Sequence, residues 1–172
     1  MTQTLLQLGH PILHQPAQPV TDLSDPAVQR LMGDLVRICR ESQGVGLAAP
    51  QVGVSLQMLV VASRPNPRYP TAPVMEPLVM VNPEIMKMAG EPVWGWEGCL
   101  SVPNRRGLVA RAPWVQVRYV NAHGEVVTQE FTDFVARIVQ HEYDHLLGKV
   151  FLERQPQRLL TEAEYQAQII GS

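Results

Sequence analysis

His141 and His145 stand four residues apart in QHEYDHLLG, Gln140 to Gly148, with Glu142 between them. Residues at i and i+4 of a helix share one face, so both imidazoles can reach a single point in space. The H-E-x-x-H spacing is that of helical zinc sites in which the Glu is the general base. Alone, the pair could also be a solvated helix face, and two histidines do not complete a metal site. The remaining candidate ligands are Cys99, Cys39, His10, His14, His123 and the carboxylates. Cys99 sits in EGCLS beside Gly98, where a break in strand pattern lets the backbone approach a ligand closely. A thiolate with two imidazoles would make a three-ligand site for Zn²⁺ or Fe²⁺, with the fourth position left to water. An open position implies catalysis. Such a water loses a proton near neutral pH, and Glu142 is placed to take and deliver it. Attack on a carbonyl creates an oxyanion that needs donors. Gln51, in GVGLAAPQ, offers a side-chain amide, and Leu100 offers its backbone N–H.

Other residues of the right chemical type have plainer readings. Cys39 falls on an apolar helix face and reads as core. His10 and His14 lie in a proline-rich arm and His123 in a turn, all surface positions. Trp94 and Trp96 read as packing, and Asp144 as a solvated carboxylate or one that supports a ligand. Arg106 either binds peptide backbone or pins the cysteine loop through Glu97.

These groups need elements to hold them. The chain to about Val20 is broken by Pro11, Pro16 and Pro19 and reads as an extended arm. A helix then starts at Ser24 or Asp25 as N-cap, with Pro26 in its first turn. Val28, Leu31, Met32, Leu35, Ile38 and Cys39 keep helical spacing, and the helix should end before Gly44. GVGLAAPQVG has no period of its own and reads as a loop. LQMLVVA, residues 56–62, reads as a buried strand, and the next fifteen residues hold five prolines and read as surface loop. LVMVNPEI is a strand expected to stop at Asn82-Pro83, and VWGWEGCLSVPN an extended piece broken by glycines. WVQVRYVNAHGEVVTQEF reads as a hairpin turning at Asn121 to Gly124. TDFVARIVQHEYDHLLG is a helix capped by Thr132 or Asp133 and stopped by Gly148. Thr161 and Glu164 form a capping box that opens a short final helix. Helix, strands, helix is the order of an α+β domain.

With 172 residues, 45% hydrophobic and 17% charged, the chain suits one domain over 1–172 with its own core. A net charge of −2 gives no footprint for nucleic acid or an anionic membrane. No apolar run approaches the roughly 20 residues of a spanning helix. The start, MTQTLLQLGHPIL, lacks the pattern of a secretion signal or transit peptide. With only two cysteines there is no disulfide framework, which suits a reducing compartment. The expectation is a cytoplasmic monomer.

GVGLAAPQ, EGCLS and QHEYDHLLG, in this order and at these separations, resemble the three signature motifs of peptide deformylases, over roughly residues 5–152. The resemblance implies antiparallel or mixed sheets around a central helix carrying the H-E-x-x-H motif, with an N-terminal and a short C-terminal helix. It implies that Cys99, His141 and His145 bind the metal and that Glu142 is the acid/base. Gln51 and the Leu100 amide would hold the formyl oxygen, while Val45, Gly46 and Arg106 line or support the peptide site. The expected ion is Fe²⁺, with Zn²⁺, Ni²⁺ or Co²⁺ as substitutes. The expected partners are N-formyl-methionyl nascent peptides, from which the family removes the formyl group as formate by attack of a metal-bound hydroxide. Two departures stand out. Arg137 falls where some relatives carry an aliphatic wall of the methionine pocket; its stem is expected to form that wall with the charge directed to solvent. Some relatives dock on the ribosome through a basic C-terminal helix, but the tail 153–172 leans acidic, which speaks against that transient contact. Two other functions compete. An H-E-x-x-H endopeptidase needs a downstream His or Glu ligand, and no histidine follows His145. A non-catalytic metal-binding module needs a fourth ligand.

Overall fold

Asp25 accepts a hydrogen bond from the Ala27 amide and Pro26 fills the first turn, so helix α1 (Pro26–Glu41) starts where the sequence caps it. The computed structural model describes residues 4–171; positions 1–3 and 172, the ends of the domain expected over 1–172, lie outside the described residues. Five strands form one antiparallel sheet in the order β1 (Gly46–Ala48), β2 (Met58–Val61), β3 (Leu78–Ala89), β6 (Trp114–Val120) and β7 (Val126–Thr132). A second antiparallel sheet joins β4 (Val93–Cys99), β5 (Val102–Arg111) and β8 (Leu159–Leu160). Helix α2 (Asp133–Leu146) carries the two histidines, and α3 (Glu162–Tyr165) runs into a π turn over Gln166–Ile170.

The period of two along β2 explains how the helices lie. Met58 and Val60 face the α1 residues Leu31, Leu35 and Ile38, while Leu59 and Val61 face the α2 residues Ala136, Ile138 and Val139. A strand covered on both faces reads as an unbroken apolar run, as MLVV does. Each of these buried Val, Leu, Ile and Met side chains contributes roughly 1.5–3 kcal/mol. The second sheet closes over a smaller cluster of Cys99, Val102, Val109, Val150 and Phe151.

Several expectations change. GVGLAAPQVG is not a loop: Gly46–Ala48 pairs with β2, and a 3-10 turn over Ala49–Val52 follows. Its small residues are buried and their backbone finds partners in the sheet. Strand β3 passes through Asn82-Pro83 to Ala89, because a register shift between Val81 and Glu84 accommodates the proline, which has no amide to donate. Asn82 there takes φ +48°. The stretch after Cys99 is a second full strand, β5, with its arginines on the sheet. The arm includes a 3-10 turn at Pro11–His14, and its extended start is tied to both chemical motifs. The Leu6 amide donates to the Gln51 carbonyl at 2.8 Å and the Leu8 amide to Ser101 at 2.7 Å. Among the described residues, no helix is long and apolar enough to cross a membrane.

Candidate metal centre

Helix α2 presents His141 and His145 one turn apart, and β4 delivers Cys99 at its last residue, where the β4–β5 register shifts. Donor atoms of Cys99, His141 and His145 all lie within 4.8 Å of one another. Cys99 Sγ is 3.3 Å from His145 Nε2. The three side chains are buried. His141 Nδ1 lies 2.8 Å from Glu97 Oε1. With Glu97 ionised, Nδ1–H donates to it and Nε2 is left to serve as a ligand. Among the described residues, the buried atoms His145 Nδ1 and Glu142 Oε2 have no hydrogen-bond partner.

The electrostatics suit a cation. Burial alone would raise the Cys99 thiol, but His145 and His141 outweigh it and hold the sulfur well below the ordinary thiol range. Burial lowers His141, yet its contacts with Cys99 and Glu97, and the charge of Glu142, raise it well above the ordinary imidazole value. The thiolate and Glu97 concentrate negative charge at the site, and a cation bound there would take imidazole lone pairs in place of protons. Sulfur and nitrogen donors in a three-ligand set fit Zn²⁺ or Fe²⁺.

Glu97 organises the surroundings. It accepts from Arg111 Nε at 2.9 Å and Nη2 at 2.8 Å, and from Arg137 Nη1 at 2.8 Å. Burial would raise its carboxyl; Arg111 and His141 pull it below the ordinary range. Arg111 Nη1 reaches Asp144 at 2.7 Å, and Asp144 also accepts from Arg154 Nε at 2.9 Å. Arg137 corrects an expectation, because its charge does not turn to solvent. Its guanidinium crosses the second sheet and donates to the carbonyls of Val93 at 2.6 Å, Val109 at 2.8 Å and Gly95 at 3.4 Å. Gly95 leaves the room: a Cβ there would sit 2.6 Å from Arg137 Cζ.

A cleft opens beside the ligands, lined by Val45, Gly46, Gln51, Leu100, Glu142 and the stem of Arg137, among others. Gln51 Nε2 lies 3.5 Å from Cys99 Sγ and donates to Ser101 Oγ at 3.2 Å, while its Oε1 accepts from the Ala48 amide at 2.9 Å. Burial raises the Glu142 carboxyl to about 7, against the opposing charges of His141 and His145. A Cβ on residue 46 would meet Glu142 Oε1 and Ile138 Cγ2 at 2.7 Å, so only glycine fits under that carboxyl. Arg106 stands outside the cleft lining. It is fully buried and pairs with Glu162 (Nε–Oε2 2.9 Å), not with Glu97. Cys39 is a free, buried thiol that burial pushes up to about 12, and it packs in the α1 core.

Sequence reasoning passed over Glu97 as a support for His141, and Arg111 altogether. Glu97 and Cys99 lie two apart on one strand and so share a face, a signal that could have found the first. Arg111 has no local signal, since its partners lie 14 and 33 residues away.

A family model described as polypeptide deformylase matches residues 2–159. The chain is 50% identical over 164 residues to peptide deformylase 2 of Nostoc sp., covering 94% of this chain and 92% of that one. It is 47% identical over 147 residues to peptide deformylase 2 of Shewanella oneidensis, covering 86% and 81%. Among solved structures, it resembles the Met-Ala-Ser-bound class I type b peptide deformylase of Acinetobacter baumannii. There the TM-score is 0.86 at 47% identity, covering 90% of this chain and 98% of that one.

Proposed function

The chain belongs to the polypeptide deformylase family of enzymes, and from that premise we propose how its own residues remove the formyl group from formyl-methionyl peptides. The observation that carries the reading is the buried Cys99–His141–His145 donor set beside a carboxyl raised to about 7. Cys99, His141 and His145 would hold one divalent ion, Fe²⁺ in the cell, with Zn²⁺, Ni²⁺ or Co²⁺ as substitutes. When bound, that ion supplies Lewis-acid chemistry, polarising a carbonyl and making water acidic. Glu142 takes the proton of the attacking water and returns it to the departing amine, for which a carboxyl titrating near neutrality is suited. One water and one formamide become formate and a free amino terminus. Gln51 Nε2, beside Cys99 Sγ, and the Leu100 backbone N–H donate to the developing oxyanion. Glu97 fixes the His141 ring through Nδ1.

The peptide enters the cleft with its methionine side chain against Val45, Ile138 and the stem of Arg137, and with its backbone along Gly46. The A. baumannii relative holds Met-Ala-Ser, which has the chemistry of the product expected here. α2, with a sheet on each side, is the central element of this machinery, and the setting is the cytoplasm where new chains carry the formyl group.

The test is formate release from formyl-Met-Ala-Ser by anaerobically loaded iron enzyme, beside the acetyl peptide. A formyl carbon bears only hydrogen, and an extra methyl in a closed site costs roughly 1–3 kcal/mol, or tenfold and more in kcat/KM. Comparable hydrolysis of both peptides would overturn the reading.

A further inference from the structure

Three side chains of the cleft wall, Tyr69, Trp96 and Phe134, are braced from behind by the C-terminal segment. Strand β8 pairs with β5 at Arg106–Gly107 and leads directly into the turn that carries Glu162 and Tyr165. The Arg106 guanidinium lies between two rings, 5.0 Å from the Tyr69 centroid and 4.6 Å from that of Tyr165. Glu162 holds it from a third side, accepting from Nε at 2.9 Å and Nη2 at 3.3 Å. Its register partner across the sheet is Gly98, whose amide donates to the Tyr69 hydroxyl at 3.0 Å. On the cleft side Tyr69 packs on Phe134, with centroids 5.2 Å apart. On the tail side Tyr165 meets the Trp96 ring edge-on at 5.7 Å. One guanidinium and four rings therefore run continuously from the tail to the cleft wall.

A buried arginine holds this place only while its charge has partners. Arg106 has one carboxylate, from Glu162, and two ring faces, one of them Tyr165. Both the carboxylate and one ring belong to the tail.

We propose that Tyr165 and Glu162 are positioning residues for the peptide, acting through Arg106 on Tyr69 and directly on Trp96. The tail is then part of the substrate site's architecture without touching the substrate. The inference rests on the deformylase reading for its substrate, but its signature is separate from catalysis. The metal ligands, Glu142 and Gln51 are held by α2, β4 and the Gly46–Gln51 stretch, none of which the tail supplies.

The experiment compares Tyr165→Ala, Tyr165→Phe and Glu162→Gln in the full-length, metal-loaded chain. It reads kcat and KM for formyl-Met-Ala-Ser, the calorimetric Kd of Met-Ala-Ser, and metal content. We expect Tyr165→Ala to raise KM and Kd by about tenfold with kcat within about threefold and full metal content. Tyr165→Phe keeps the ring and should match wild type. Glu162→Gln keeps the Tyr165 ring but removes the one carboxylate of Arg106, and should fall between them. An unchanged Kd in Tyr165→Ala overturns the proposal, as does an equal defect in Tyr165→Phe, or a loss shared by kcat and metal content. A wild-type chain that releases no formate would overturn the deformylase reading instead, while the Kd series would still decide whether the tail positions the peptide.

Discussion

Glu142 has no slack. Its carboxyl is packed over Gly46, a Cβ there would stand 2.7 Å from Oε1, and burial raises it to about 7. Gly46→Ala should therefore displace the proposed proton carrier while leaving Cys99, His141 and His145 in place. The expected result is a fall in kcat of about 10²-fold at full metal content, measured by steady-state kinetics beside metal analysis. Glu97 acts one residue further out. Its bond to His141 Nδ1, 2.8 Å long, leaves Nε2 as the ring nitrogen free for the proposed metal. Glu97→Gln should weaken metal retention by about 10–100-fold, read by competition with a chelator. Unchanged retention would mean that His141 is oriented by helix packing alone.

At the scale of elements, the site is a contact between one turn of α2 and the end of β4, and Arg137 joins the two. It donates to three strand carbonyls and to Glu97 from a helix position. Arg137→Met leaves those buried acceptors short of a donor and should cost about 3–5 kcal/mol in urea unfolding. Gly95→Ala should also destabilise, because Arg137 occupies the space of the new methyl. In the Arg137→Met background that clash is gone, so the two costs should fall well short of adding. Strict additivity would show that the guanidinium and Gly95 do not share one space. The same pair shows what could be read from the sequence. α1, α2 and the β6–β7 hairpin were legible because apolar spacing and turn residues are local. β5 was not, because VPNRRGLVAR looks like exposed chain. Arg106 and Arg111 are buried there by carboxylates at positions 162, 97 and 144, which nothing nearby announces. β1 was missed because three buried residues, Gly46 to Ala48, are too few to show a period. Of the candidate site, the three donors that the fold brings together, Glu142 and the cleft motif stood out through spacing and resemblance. The ion-pair network behind them did not, being assembled only by the fold.

For the molecule as a whole, that network ties stability to pH. Asp144 ordinarily titrates at 3.8 and Glu97 at 4.5; burial pushes both up, and their arginine partners more than reverse it. Carboxyls depressed in the folded state take up protons first in the unfolded chain. Their contribution is whole above the unfolded values, and it drains away as pH falls below about 4 toward the folded ones. The raised Glu142 carboxyl should add stability as pH falls from neutrality toward about 5, and the thermal midpoint should then drop steeply below about pH 4. Arg154→Met, which removes the half-exposed partner of Asp144, should shallow that drop, and an unchanged acid slope would count against the network. The account as a whole stands on one division of labour: Cys99 holds the metal and Glu142 moves the proton. The most direct test measures metal content and formate release from formyl-Met-Ala-Ser for Glu142→Gln and Cys99→Ala, both prepared anaerobically with iron. The account predicts that Glu142→Gln keeps about one metal per chain with kcat down roughly 10²–10⁴-fold, and that Cys99→Ala is metal-free. A metal-free Glu142→Gln, or one that turns over near the wild-type rate, would contradict it.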